Sequence, residues 1–245
     1  MLQSGVGHPC FNMGLDEALL HSEDSPPTLR IYRWSPPGLS LGYFQRASDF
    51  LDVAGDHVVV RRVTGGGAIY HGDEITFSLT VGASLLPSDI GASYDLIHDA
   101  VRAALADVGV EAHRRGDSAG QPTRGPARPK QPWCFADPVC EDLLTTSGHK
   151  LLGSAQRRVQ RPKERILHHG SLVLSAPEAT PFCGSVAEET DPRRVEAALE
   201  EAMTKRLATS LGLTAAQGFP TEMELEHATR LAKERYGSEA FTLRR

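Results

Sequence analysis

Three consecutive glycines, Gly65, Gly66 and Gly67, constrain this chain more than any other feature. They lie in Arg61-Arg62-Val63-Thr64-Gly65-Gly66-Gly67-Ala68-Ile69-Tyr70-His71-Gly72-Asp73. The apolar, β-branched run 58–60 precedes this stretch and a second strand-like run, 75–81, follows it. Glycines without Cβ weaken a helix or strand interior, but they let backbone turn and approach another group closely. Arg61, Arg62 and His71 set charge and a titratable ring beside that bare backbone. A glycine-rich hairpin without function and a ligand-facing loop both fit these residues alone.

The rest of the chain reads as one α+β domain over residues 1–245, with helices on a mainly antiparallel sheet. Residues 12–21 suggest a short helix with Asn12 as N-cap. Residues 29–34 and 39–44 read as a hairpin around Pro36-Pro37-Gly38. In 75–81, Ile75, Phe77, Leu79 and Val81 alternate with Thr76, Ser78 and Thr80, the pattern of a strand with one buried face. Tyr94, Ile97, Val101, Leu105 and Val108 recur at helical spacing up to Gly109. Residues 113–132 are rich in Pro, Gly, Arg and Lys and read as a flexible, exposed loop. Strand character returns at 142–146 and 150–156, and again at 166–174, where His168-His169-Gly170 reads as a polar interruption.

Residues 190–245 read as the helical C-terminal part of the same domain. Asp191-Pro192 is a cap and first-turn proline, and Thr221-Glu222-Met223-Glu224 a capping box. The stripes Val195, Leu199, Met203, Leu207 and Leu225, Ala228, Leu231, Ala232 are expected to face the core.

Composition excludes several function classes. A formal net charge of −5 argues against general nucleic-acid binding. No apolar run approaches the roughly 20 residues that span a bilayer. The first residues lack the basic and apolar regions of a secretory signal, which makes the cytoplasm the expected location. Cys10, Cys134, Cys140 and Cys183 are too scattered for a disulfide framework and contain no C-x-x-C pair, so thiols are expected and no metal site.

Three segments carry reactive side chains. Cys134, in Trp133-Cys134-Phe135-Ala136-Asp137-Pro138, follows the basic loop and is better placed to react than a buried thiol, provided a cation lies near. Lys150, in Gly148-His149-Lys150-Leu151-Leu152-Gly153-Ser154-Ala155-Gln156, is either an exposed hairpin charge or an ammonium presented to a pocket. His168-His169-Gly170 adds imidazoles whose role the sequence leaves open.

Taken together, the glycine stretch, the Lys150 block and His168-His169-Gly170-Ser171-Leu172 resemble the three signature blocks of the lipoate-protein ligase and octanoyltransferase superfamily. Asn12-Met13-Gly14-Leu15-Asp16-Glu17-Ala18-Leu19-Leu20, Tyr32-Arg33-Trp34-Ser35-Pro36-Pro37 and Leu41-Gly42-Tyr43-Phe44-Gln45 match its N-terminal blocks, in the family's order. The resemblance implies the biotin/lipoate-protein ligase type of catalytic domain, a mainly antiparallel or mixed sheet flanked by helices. Cys134-Phe135-Ala136-Asp137-Pro138 resembles the octanoyltransferase branch whose acylated cysteine precedes the lysine block. That carries the nucleophile onto Cys134 and the thiolate-favouring cation onto Lys150. A second branch places its cysteine in a Pro-Cys-Gly context after the His-Gly block. Pro181-Phe182-Cys183-Gly184 fits that pattern less well, so Cys183 is the alternative nucleophile.

The implied reaction moves an octanoyl group from acyl carrier protein, through a Cys134 thioester, to a lysine of a lipoyl domain or the glycine-cleavage H protein. It needs no cofactor. Substrate-binding candidates are Arg62, Gly65, Gly66, Gly67, Tyr70, His71, Gly153, Ser154, Ala155, His169 and Gly170. The glycine triplet is expected to wall the site, with Arg62 and His71 at its mouth. Tyr70, Phe77 and Leu152 are candidates for an acyl tunnel, and residues 114–130 for a basic docking surface. The alternatives are an ATP- and magnesium-dependent lipoate ligase, against which Ile75-Thr76-Phe77-Ser78 departs from the ligase pattern, and a binding protein with a degenerate site.

Overall fold

The structure, a computed structural model, describes residues 1–117 and 132–244. Its main sheet has five strands: β1 (Leu2–Gly7), β2 (Thr28–Trp34), β6 (Glu74–Gly82), β10 (Arg165–Val173) and β9 (Leu152–Val159), in that spatial order. Only β1 and β2 pair in parallel; the remaining neighbours are antiparallel. A second sheet holds β4 (Val58–Arg61), β3 (Gly38–Leu41) and β5 (Ile69–His71), with β3 central. A short pair joins β7 (His113–Arg114) to β8 (Leu143–Leu144). The helices are α1 (Pro9–His21), α2 (Leu51–Ala54), α3 (Ile90–Asp107), α4 (Pro192–Ser210), α5 (Glu222–Leu231) and α6 (Glu239–Thr242).

The alternation in β6 decides the layering. Ile75, Phe77, Leu79 and Val81 pack with Ile97, Val101 and Leu105 of α3 and Leu199, Met203 and Leu207 of α4. Fully burying side chains of this size contributes about 1.5–3 kcal/mol each. The opposite face, Thr76, Ser78 and Thr80, was expected to be polar and solvated, yet it is buried too. Two of its hydroxyls donate to buried carboxylates: Ser78 Oγ to Asp16 Oδ1 and Thr76 Oγ1 to Glu74 Oε1, both at 2.5 Å. Those bonds make burial tolerable.

Several expectations fail for identifiable reasons. Helix α1 begins at Pro9, which suits a first helical turn, and His8 Nδ1 caps it by accepting from Cys10 N–H. Asn12 lies inside the helix and donates to the carbonyls of Gly7 and Arg33, tying the ends of β1 and β2. Residues 29–34 and 39–44 form no hairpin, because β3 crosses into the second sheet and pairs with β4 and β5. The glycine triplet likewise forms no hairpin: it links β4 to β5, which lie on opposite sides of β3 within the second sheet. His168, His169 and Gly170 do not interrupt β10, which runs unbroken beside β6 and β9. Residues 113–117, expected within the flexible loop, form β7 and a turn of 3-10 helix. Arg124, Arg128 and Lys130, the rest of that docking idea, lie outside the described residues.

At the C-terminal side, Asp191 caps α4 with proline following, and Thr221 with Glu224 forms the capping box of α5. Leu199, Met203 and Leu207 are buried as expected, and Ala228 is buried against α1, but Leu225 is exposed. Among the described residues no helix is long and apolar enough to cross a membrane.

Candidate active site

The glycine triplet positions a cysteine. Ala68 N–H donates to Pro132 O at 2.8 Å, and Cys134 N–H to Ala68 O at 3.0 Å, forming a parallel bridge between Ala68 and Trp133. Gly67 lies against that segment so closely that a Cβ there would fall 2.5 Å from Cys134 N. Gly66 has φ +91°, a conformation that glycine adopts without strain. Arg62 holds the triplet from inside: Nη2 donates to the carbonyls of Gly65 and Gly67, while Nη1 donates to Ser40 O and Oγ. Burial lowers the Arg62 guanidinium to about 10, so it stays charged at neutral pH. Arg61 reaches the other way and joins the carbonyls of Gly42, Tyr43 and Gln45 to those of Phe241, Thr242 and Arg244.

Opposite this clamp, Lys150 Nζ lies 3.7 Å from Cys134 Sγ and 2.7 Å from Asp142 Oδ2. Lys150 and Asp142 are 5% and 3% exposed, so neither charge is screened by water. Burial pushes the Lys150 ammonium down, but Asp142 and the cysteine sulfur outweigh it and hold it above the usual lysine range. Asp142 Oδ2 also accepts from Val139 N–H at 2.7 Å, which fixes the turn that follows Cys134. Gly153 of β9 leaves room beside the sulfur: a Cβ there would sit 3.1 Å from Sγ and 2.9 Å from Phe135 Cζ. Cys183 sits in a small apolar cluster with Ile69, Phe135 and Val173, where burial pushes its thiol up to about 11.

Cys134 opens into a pocket between the two sheets. Met13, Tyr32, Trp34 and Ile69 supply much of its apolar lining. One polar wall is built on Glu74, which accepts from Thr76 and Ser171 and pairs with His71 Nδ1 at 2.6 Å; His71 Nε2 meets Ser40 Oγ, and its ring stacks on Trp34 at 3.6 Å. The second wall is built on Asp16. Burial raises the Asp16 carboxyl, but Arg30, His169 and Ser78 overcome this and leave it lowered. His169 bridges Asp16 and Thr64, and burial keeps its imidazole below the usual histidine value.

The pocket therefore brings together Cys134, Arg62, His71, Gly153, Ser154, Ala155, His169 and Gly170. Arg62 and His71 are buried in its wall, not placed at its mouth. Gly65, Gly66, Gly67 and Tyr70 do not line it, and neither do the tunnel candidates Phe77 and Leu152. Tyr70 pairs instead with His57, while Phe77 and Leu152 belong to the α3–α4 core. Ser154 turns its hydroxyl to His98 Nε2 on the other face of β9, so its backbone meets the pocket. The sequence reading missed Asp142, Asp16 and Glu74. Their only sequence signal is an acid embedded in or abutting an apolar segment, which gains meaning once a partner is known. Among the described residues no cluster of His, Cys, Asp or Glu could hold a metal ion.

Comparisons with known proteins give the family and the fold. Residues 8–210 match the model of the family described as "Lipoyl protein ligase A/B catalytic domain". The chain is 40% identical over 190 residues to Octanoyltransferase LipM of Kyrpidia tusciae, covering 73% of this chain and 67% of that relative. With Octanoyltransferase LipM of Symbiobacterium thermophilum the identity is 32%, covering 96% and 94%. Among solved structures, a lipoate-protein ligase A bound with ATP superposes with a TM-score of 0.77 at 22% identity, covering 99% of this chain and 97% of that one. A bipartite lipoate protein ligase from Thermoplasma acidophilum gives 0.74 at 21% identity, covering 100% and 96%. At such identities these likenesses establish the fold.

Proposed function

The chain belongs to the lipoyl protein ligase A/B catalytic-domain family, and from that premise we propose that it is an octanoyltransferase of protein lipoylation working through a thioester on Cys134. The donor is octanoyl-acyl carrier protein, and the acceptor is a lysine of a lipoyl domain or of the glycine-cleavage H protein. The observation that carries the reading is the contact of Lys150 Nζ with Cys134 Sγ at the opening of an apolar pocket. Curated relatives named octanoyltransferase, 32–40% identical, support it.

The reaction divides into two steps. The Cys134 thiolate, facing the Lys150 ammonium, attacks the octanoyl carbonyl and expels the carrier's thiolate. Backbone amides near Gly153, on the terminal strand β9, stabilise the oxyanion. The chain then lies among Met13, Tyr32, Trp34 and Ile69, where burying its methylenes contributes about 5 kcal/mol. In the second step a neutral lysine amine attacks the same carbonyl, the C–Sγ bond breaks, and the pair returns to sulfur opposite Lys150. The amine gives up one proton to solvent water, and the product is an amide. A covalent intermediate lets donor and acceptor proteins bind in turn. Thioester exchange is nearly balanced and aminolysis runs downhill, so the reaction requires no ATP.

Incubating the protein with octanoyl-acyl carrier protein without ATP and measuring its intact mass tests the proposal. A hydroxylamine-labile octanoyl adduct is expected, lost in Cys134→Ala and kept in Cys183→Ala. The reverse pattern moves the nucleophile to Cys183. No adduct, together with ATP–pyrophosphate exchange driven by lipoate or octanoate, overturns the transferase reading.

A further inference from the structure

Three arginines gather around two neighbouring rings, Tyr43 and Phe241. The Arg244 guanidinium lies 4.1 Å from the ring centroid of Tyr43 and 4.5 Å from that of Phe241. Arg157 lies 5.9 Å from the Tyr43 ring, and Arg235 lies 4.4 Å from the Phe241 ring. Of the three, only Arg235 meets a carboxylate among the described residues, Glu17 at 2.9 Å. Arg244 Nε and Nη2 are buried without a hydrogen-bond partner. Arg244 above all, with the weaker fields of Arg235 and Arg157, holds the half-buried Tyr43 phenol below its usual range. Like charges gathered around two rings, in a chain of net charge −5, are unfavourable unless an anion joins them.

The cluster is aligned with Cys134. Gly153, Ala155 and Arg157 alternate along β9, so they share the face that carries the pocket, opposite Ser171, His169 and Leu167 of β10. Gly153 abuts Sγ, and Ala155 adds only a methyl, so a track of small buried residues leads along this face to the exposed Arg157. The track covers four residues, about 13 Å. Tyr43 is tied to the glycine stretch that supports Cys134: its N–H donates to Thr64 O, and the preceding Gly42 packs against the Gly66 carbonyl.

Resting on the acyl-enzyme reading, we propose that Arg157 and Arg244, with Tyr43 between them, bind the phosphate of a phosphopantetheine arm whose thioester lies at Cys134. About thirteen bonds separate thiol sulfur from phosphorus in that arm, on the order of 15 Å extended, which matches the track. Guanidinium forks suit phosphate oxygens better than any other side chain does.

The test compares two small donors, S-octanoyl-pantetheine and S-octanoyl-4′-phosphopantetheine, by the rate of adduct formation on Cys134. The wild type is expected to prefer the phosphorylated donor by on the order of tenfold or more in kcat/KM. Arg157→Gln and Arg244→Gln each reduce that preference, and the double variant abolishes it, while acylation by the unphosphorylated donor is unchanged and reports an intact fold. An unaltered preference in the variants, or none in the wild type, overturns the proposal. If neither donor acylates the wild type, the acyl-enzyme reading fails and this site with it.

Discussion

Replacing Asp142 with asparagine removes one charge from the most enclosed part of the site while keeping its volume. Lys150 Nζ loses the carboxylate 2.7 Å away but keeps its burial and its 3.7 Å contact with Cys134 Sγ. Removing one partner of a buried ion pair costs about 3–5 kcal/mol. The asparagine oxygen still accepts from Lys150 or Val139 N–H, which favours the lower end, about 3 kcal/mol. In a chain of this size that lowers Tm by about 6–12 °C. In the wild type the folded-state Lys150 is held above the usual value of 10.5. The pair's stabilisation is therefore complete below that value, lost only as pH rises through the folded one, and flat from pH 6 to 9. In Asp142→Asn burial acts with much less to oppose it. The folded lysine then holds its proton less tightly than the unfolded chain does, so stability rises with pH and the deficit is larger at pH 6 than at pH 9. Thermal melts at both pH values and iodoacetamide alkylation of Cys134, followed by mass, read the two consequences. Alkylation at pH 7 should quicken severalfold, because Lys150 then faces the sulfur without the carboxylate that offsets its charge. A variant that melts within about 2 °C of wild type at both pH values, and alkylates at the same rate, would refute the argument.

Gly153→Ala places a methyl 3.1 Å from Sγ and should slow acylation by on the order of 10–100-fold without unfolding the chain; an unchanged acylation rate means the carbonyl does not approach past Gly153. Cys183→Ala removes a thiol raised to about 11 by burial, so adduct formation should stay within about twofold of wild type at a stability cost of about 1 kcal/mol. A lost adduct would move the nucleophile. Asp16→Asn should destabilise by about 3 kcal/mol at pH 7, because Arg30 would be left buried without its carboxylate. The folded Asp16 pKa is lowered, so its stabilisation is present above the usual value of 3.8 and is lost as pH falls through the folded one. Urea melts between pH 7 and 2 should show the gap to wild type closing at the acid end, and a constant gap would count against the pairing.

What the sequence made legible follows the range of the interactions involved. Helix caps at Asp191 and Thr221 are decided within four residues, and both were readable. The Cys134 and Lys150 segments were readable because each carries its chemistry in a contiguous stretch. Asp142 was not, since its importance lies in a lysine and a backbone amide that its own neighbours do not announce. Glu74 is harder still, because one of its donors, Ser171, lies far along the chain. The strand broken by two histidines and a glycine is a misreading of the same origin. His169 is satisfied by Thr64 and Asp16, both distant in sequence. Gly170 is required because a Cβ would fall 2.7 Å from Phe77 on the adjacent strand. The expected hairpin at 29–44 failed because turn residues specify a reversal, but not which sheet the returning strand joins.

The glycine triplet acts at one remove from the chemistry. It contributes no lining to the pocket, yet the placement of Cys134 depends on it from two sides: backbone pairing through Ala68, and the close approach that Gly67 permits. Arg62 converts its own burial into rigidity by holding the carbonyls of Gly65 and Gly67, and Arg61 extends the same construction outward to residues 42–45 and 241–244. Two adjacent arginines thus point in opposite directions, as alternation at the end of a strand requires, and connect the nucleophile's support to the Tyr43–Arg244 pair. A substitution in the triplet should therefore lower the rate of acylation more than it changes how the pocket holds an acyl chain, because it moves the sulfur and leaves the walls built on Asp16 and Glu74 in place.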